Sequence, residues 1–163
     1  MSLRLTGYQA LTAILEPLLA KRILNSRLKA GKEREDRLHE RLGRTSIPRP
    51  TGRLIWLHGA SVGETGLLLD IFARLKTAMP DITAVITSHT LTAADMIAAK
   101  SPEGVVHQMA PMDSPGIARR FLNHWRPDLI VFAEGEIWPN LLLTAQSTDI
   151  PTALINARMT DKS

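Results

Sequence analysis

No cysteine occurs among the 163 residues. That absence excludes a disulfide framework and a thiolate metal site, and it is compatible with a reducing compartment. No apolar run approaches the roughly 20 residues that a membrane-spanning helix needs. The longest uncharged run in the first segment, Leu5 to Leu15, is far too short. No cleavable signal-peptide pattern is present, so the bulk of the chain is expected to be soluble and on the synthesis side of any membrane. The first 53 residues hold Tyr8 as their only aromatic, too few stacking platforms for single-stranded nucleic acid. Neither GxxxxGKS/T nor GxGxxG is found, which leaves a phosphate-cradling loop without its usual signature. No His or Asp stands at ligand spacing beside the acidic clusters, so neither a metal nor a cofactor is expected. No Ser-His-Asp order is visible, and there is no internal repeat.

Charge is distributed unevenly. Residues 1–53 carry 12 Lys/Arg against 5 Asp/Glu, whereas residues 54–163 carry 8 against 11. The basic end therefore suits a polyanionic partner, whether nucleic acid or anionic lipid. Within it, Leu11, Ile14, Leu15, Leu18 and Leu19 recur at helical spacing and form one apolar face. Glu16-Pro17 is expected to interrupt and kink this helix. The following "KRILNSRLKAGKEREDRLHERLGR" is dense in cations. An apolar face followed by basic turns suits an amphipathic helix lying in a membrane interface. A terminal helix packed on its own domain fits the same pattern. Residues 1–45 are accordingly read as a membrane-interfacial segment and 46–53, with "SIPRPTG", as a linker.

From residue 54 the pattern becomes regular. Strands are expected at 54–58, 82–88, 104–110, 128–133 and 151–157. Helices are expected at 63–79, 91–100, 113–125 (opened by Asp113 or Ser114) and 138–146. Five short apolar strands alternating with helices predict an α/β fold: a Rossmann-like parallel sheet covered on both faces.

In such a sheet ligands bind at the carboxyl ends of the strands. The polar clusters "HGASVGE", "SHT", "MAPMD", "EGE" and "NARM" all fall there. Glu64, at the end of "GASVGE", has two readings. One is a carboxylate in the first helical turn, where the macrodipole favours it. The other is a general base waiting for a substrate hydroxyl. Glu134 and Glu136, two apart at a strand end, suit shared-proton chemistry or sugar hydroxyls, or one of them caps the next helix. His58 and His89 face the same side and fit structural roles as well as functional ones. Asn156 and Arg158 end the last strand, and Arg158 suits a phosphate or carboxylate, or an ion pair with Glu134 or Glu136.

Taken together, "IWLHGASVGE", "TSHTLTAAD", "HWRPDLIVFAEGEIWPN" and "INARMTDKS" resemble, in order, the N-terminal domain of the bacterial 3-deoxy-D-manno-octulosonic acid (Kdo) transferases of lipopolysaccharide synthesis. "AGKEREDRLHERLG" resembles the segment that precedes the first strand there. The resemblance implies an inverting, metal-independent GT-B glycosyltransferase, with CMP-Kdo as donor and lipid A precursor as acceptor, on the cytoplasmic face of the inner membrane. It implies Glu64 as the base, Ser61 and Gly63 shaping its loop, and Glu134, Glu136 and Arg158 on the acceptor side. The sequence departs from the family at Gly135, where Ser or Thr is more usual, and at His89, Leu91 and Ala94, where Thr, Pro and Gly are. It also implies a family chain roughly twice as long, so residues 54–163 are expected to be an acceptor-side domain without its donor-binding partner and with little activity alone. Two other readings fit the residues: a non-catalytic membrane-attached binding module, and a GT-B enzyme acting on a soluble sugar nucleotide.

Overall fold

The computed structural model describes residues 3–100, 102–133 and 138–156. Its elements are α1 (Leu3–Lys29), a single 3₁₀ turn (Glu35–Arg37), α2 (Leu38–Arg41), β1 (Leu54–His58), α3 (Val62–Ala78), β2 (Thr83–Ser88) and α4 (Leu91–Lys100). There follow β3 (Val105–Met109), α5 (Pro115–Trp125), β4 (Leu129–Ala133), α6 (Pro139–Gln146) and β5 (Thr152–Ile155). The five strands are all parallel, in the order β3-β2-β1-β4-β5. The α/β reading of the sequence is correct.

Strand periodicity explains the two core layers. Side chains alternate across a strand, so Leu54 and Trp56 of β1 face α5 and α6, packing with Phe121, Trp125, Phe132 and Leu141. Ile55 and Leu57 face the other way, onto Leu68 and Phe72 of α3 and Ile97 of α4. Every residue of β1 is buried, as a central strand covered on both faces must be. At the sheet edge, β5 alternates between exposed and half-buried residues.

Local chemistry fixes the ends of the helices. Ser114, not Asp113, caps α5 by accepting from the Ile117 N–H, with Pro115 in the first turn. Asp113 instead caps α6 across space, accepting from the N–H groups of Asn140 (3.2 Å) and Leu141 (3.0 Å). Arg126, with φ 40°, closes α5 in the left-handed conformation.

One correction concerns α1, which is a single continuous helix through Pro17 rather than one interrupted there. Glu16 holds this turn against α5, accepting from Ser114 Oγ and pairing with Arg120 at 2.9 Å. Tyr8 donates to Asp113 (2.9 Å), while Ala20 and Leu24 are buried. Burial, followed by the hydrogen bond to Asp113 and its charge, raises the Tyr8 hydroxyl to about 12. The far face of α1 stays in solvent: Ile14 is 76% exposed and Leu18 73%.

Residues 33–44 cover the edge of β3, where the Met109 N–H donates to Glu40 and Gln108 Nε2 donates to the Glu40 carbonyl. Gly43 makes this possible. Its φ is +71°, and an added Cβ would lie 2.6 Å from the Ile117 carbonyl oxygen of α5. Gly43→Ala therefore combines a left-handed strain of roughly 1–2 kcal/mol with a backbone clash of similar size. Denaturant unfolding should show a loss of about 2–4 kcal/mol, and a loss under about 0.5 kcal/mol would contradict this packing.

Candidate functional site at the carboxyl edge of the sheet

From β1 the chain runs outward through β2 to β3, then returns to β4 and β5 on the opposite side. The switch point lies between the carboxyl ends of β1 and β4, where open parallel sheets bind ligands. Glu64 stands at that point, in the first turn of α3.

The loop brings it close because Gly59 has no side chain. A Cβ there would lie 3.0 Å from both Glu64 Cβ and Leu68 Cδ1. Gly63, by contrast, is open, with only Ser61 Oγ within 4.0 Å of a built Cβ. Ser61 caps α3: its Oγ accepts from the Glu64 N–H (3.3 Å) and donates to Glu64 Oε1 (3.0 Å). Glu64 Oε2 accepts from the Ala60 N–H. This is a reciprocal capping arrangement. The carboxylate is half-buried and, among the described residues, lies in no ion pair. Two of its roughly four acceptor positions are in use, which leaves room for a hydroxyl donor.

The next loop packs against this one. The Gly59 N–H donates to the Thr87 carbonyl (3.1 Å) and the His89 N–H to the Ala60 carbonyl (3.3 Å). Behind His89 lies a buried ionic hub. Arg41, 3% exposed, donates to Glu33 (3.1 and 3.2 Å), to the Ala110 carbonyl (3.0 Å) and to the His89 carbonyl (2.8 Å). Arg27 also pairs with Glu33 at 2.6 Å and reaches the His89 carbonyl at 3.3 Å. One guanidinium thus ties the α2 segment to the loops after β2 and β3.

The two histidines differ in position. His58 is fully buried, sharing a 2.8 Å hydrogen bond with Thr87 Oγ1, which also accepts from the Trp56 indole at 2.8 Å. Burial, with the nearby His89 and Arg41, lowers His58 to about 3. His89 stacks edge-on against His58 (5.4 Å between rings) and tilted against Trp138 (5.2 Å). Burial, then Arg41 and Arg27, lower it to about 4, partly offset by Glu33 and Glu64. Both rings are neutral at physiological pH.

Two clefts open here. One, of about 300 Å³, runs between α1 and the 110–114 loop and ends at Arg27, Arg41, His89 and Trp138. The other, of about 600 Å³, is bounded by Arg27, Lys32, Ala60, His89, Thr90, Thr92 and Trp138. Neither is lined by the Glu64 side chain itself. The larger reaches Ala60, whose N–H holds that carboxylate. Glu134, Glu136 and Arg158, the other residues singled out in the sequence, lie outside the described residues. No grouping of three or more His, Asp or Glu suited to a metal occurs among the described residues. The roles of Arg41, Glu33 and Asp113 escaped the sequence, where charged residues in "KEREDRLHER" carry no sign of burial.

The described residues thus form a Rossmann-like α/β domain with a carboxylate in the first turn after β1 and two clefts close by. The chain belongs to the 3-deoxy-D-manno-octulosonic-acid transferase (Kdo transferase) family, whose model matches residues 36–163. It is 41% identical over 156 residues to the probable mitochondrial 3-deoxy-D-manno-octulosonic acid transferase of Arabidopsis thaliana, covering 96% of this chain and 35% of that protein. It is 35% identical to the 3-deoxy-D-manno-octulosonic acid transferase of Rickettsia bellii (96% and 37% covered) and 33% identical to that of Haemophilus influenzae (96% and 36%). The chain thus spans little more than a third of the length of these relatives.

Proposed function

We propose that this chain is the acceptor-side domain of an inverting, metal-independent glycosyltransferase that moves Kdo from CMP-Kdo to a lipid A precursor, with Glu64 as general base. The placement of Glu64 carries the reading: a half-buried carboxylate, aimed by Ser61 and the Ala60 N–H, at the β1/β4 switch point. An acceptor glucosamine hydroxyl gives its proton to Glu64 as its oxygen bonds to the anomeric carbon of Kdo. The bond from that carbon to the CMP phosphate oxygen breaks on the opposite face, and CMP leaves. Ser61 keeps the carboxylate pointed, and Glu134, Glu136 and Arg158 belong to the acceptor side in this reading. The donor is held mainly by residues beyond this domain.

The exposed apolar face of α1 (Leu11, Ile14, Leu18) with the exposed Lys21 and Arg22 beyond it supports a peripheral seat on an anionic membrane. No helix among the described residues is long and apolar enough to cross a bilayer.

The capping geometry favours a second reading, a binding module in which Glu64 only closes α3. Glu64→Gln separates the two, because its amide oxygen still accepts from the Ala60 N–H, its NH2 can donate to Ser61 Oγ, and it cannot take the proton. In a protein carrying this chain and its donor domain, transfer should fall by about 10²–10⁴-fold, with a melting temperature within about 2 °C of the parent. Unchanged transfer would leave the capping role alone.

A further inference from the structure

We propose that the cleft between α1 and the 110–114 loop receives one acyl chain of the acceptor glycolipid, whose phosphorylated head lies across Arg27 toward Lys32. This inference rests on the acceptor-side reading above and names what holds the acceptor's lipid part.

The shape of the cleft comes first. Its α1 wall is formed by Tyr8, Thr12, Glu16, Leu19/Ala20, Ile23/Leu24 and Arg27, one stripe at three- and four-residue spacing. Hydrogen bonds from Tyr8 to Asp113 and from Asn140 to Thr12, with the Ser114–Glu16 contact, bridge its first half, so the open part runs from Leu19 to Arg27, roughly 12 Å at 1.5 Å per residue. A narrow trough of this length suits an extended chain better than a compact ligand. Opposite that open part the wall carries Ala110, Pro111, Met112 and Ile117, with Asp113 and Ser114 toward the bridged half. At about 30 Å³ for a water-sized group, the 300 Å³ available takes on the order of ten methylenes.

The charges agree with this occupant. Glu16 and Asp113 line the trough, and both are already paired across its bridged half. Glu16 is held by Arg120 and Ser114, and Asp113 by Tyr8 and the amino end of α6. At the inner end the groups are cationic. Arg27 keeps about a third of its side chain exposed despite its pairing with Glu33, and Lys32 lines the adjoining cleft, which also reaches Ala60 beside Glu64. Arg27 borders both clefts, so a head group leaving the trough passes directly toward the candidate base. Two of its lining residues, Leu19 (42% exposed) and Ile23 (40%), open to solvent along α1, and a lipid would enter there.

The test uses this chain and dodecyl phosphate below its micelle concentration, followed by calorimetry and by tryptophan fluorescence. Trp138 borders the cleft, whereas Trp56 and Trp125 are fully buried. Binding should saturate at one per chain and strengthen about fourfold per methylene from hexyl to decyl phosphate. Leu19→Trp and Ile23→Trp, at exposed lining positions that tolerate a larger side chain, should each weaken it at least tenfold. Ile14→Ser, outside the trough, should leave this binding unchanged while lowering co-sedimentation with phosphatidylglycerol vesicles. Non-saturable binding, or equal binding by both tryptophan variants, overturns the proposal. So does equal displacement by dihexanoyl phosphatidylglycerol, which would make the trough a general lipid site. Glu64→Gln should bind like the parent, so a trough without ligand and a Glu64 without base function are separate failures.

Discussion

Arg41→Met should lower the melting temperature by about 10 °C, from a stability loss of roughly 3–5 kcal/mol. The size follows from what the guanidinium leaves behind. Arg41 is almost wholly buried and donates to a carboxylate whose own side chain is fully buried. It also satisfies the Ala110 and His89 carbonyls. Removing one partner of a buried pair exposes the other to an uncompensated desolvation cost, whereas replacing both by apolar groups is often nearly neutral. Arg27 still pairs with Glu33 and should keep the loss toward the lower end. Arg41→Lys should lose more than about 1 kcal/mol, because an ammonium cannot match the planar fork. The double variant Glu33→Leu/Arg41→Met should recover part of the deficit, the remainder being the Ala110 carbonyl that loses its donor and Arg27 that loses Glu33. Thermal unfolding of the four proteins as a double-mutant cycle checks this, and a coupling under about 0.5 kcal/mol would mean that water already screens the pair. Because the hub fixes the His89 carbonyl and the His89 N–H holds Ala60, the same variant should also loosen the loop that carries Glu64.

This hub marks where the sequence stopped being informative. β1 and α4 fall at the residues that hydrophobic patterning predicts, Leu54–His58 and Leu91–Lys100, and the other elements expected after residue 54 start or end within one or two residues of their observed bounds, the expected end of the last strand at 157 lying outside the described residues. Such strands are legible because a central parallel strand is buried on both faces and reads as an unbroken apolar run. Glu64 was legible as a first-turn carboxylate that the helix dipole favours, whereas Ser61 entered only through the family resemblance and its capping role appears in the structure. Arg41 had no such signal. It stands among solvated cations, and its burial comes from loops about 48 and 69 residues further along the chain. Asp113 shows the same limit, because its position before Pro115 fits a cap for α5, yet its carboxylate serves α6. Pro17 shows the reverse, a local break signal overridden by the tertiary anchor at Glu16.

Acid should unfold this domain steeply, through three histidines that the fold keeps neutral. Burial is the largest cause in each case, lowering His58 to about 3, His89 to about 4 and His107 to about 3. For His107 the Arg37 guanidinium adds to this, bonding Nδ1 at 2.9 Å while Ser88 shares Nε2 at 3.0 Å. In the unfolded chain all three titrate near 6.5. Below that value the unfolded state binds more protons, so their contribution is complete above about pH 6.5 and is lost as pH falls toward the folded values. Each group costs about 1.4 kcal/mol per pH unit in that window, or roughly 4 kcal/mol per unit for the three together. Glu16 acts in the same direction at lower pH. Burial pushes its carboxyl up, but the bonds from Ser114 and Arg120 outweigh burial and hold it below 4.5. Against a typical stability of about 5–15 kcal/mol, half-unfolding should arrive about one to four units below pH 6.5. Circular dichroism from pH 7.5 to 3.5 checks the slope, and imidazole NMR signals identify the groups. His107→Gln, which keeps a polar partner for Arg37 and Ser88 without a titrating ring, should flatten the slope by about one third. A slope below about 1 kcal/mol per unit would mean that the rings take up protons within the folded chain, and the buried neutral cluster behind the Glu64 loop would have to be abandoned.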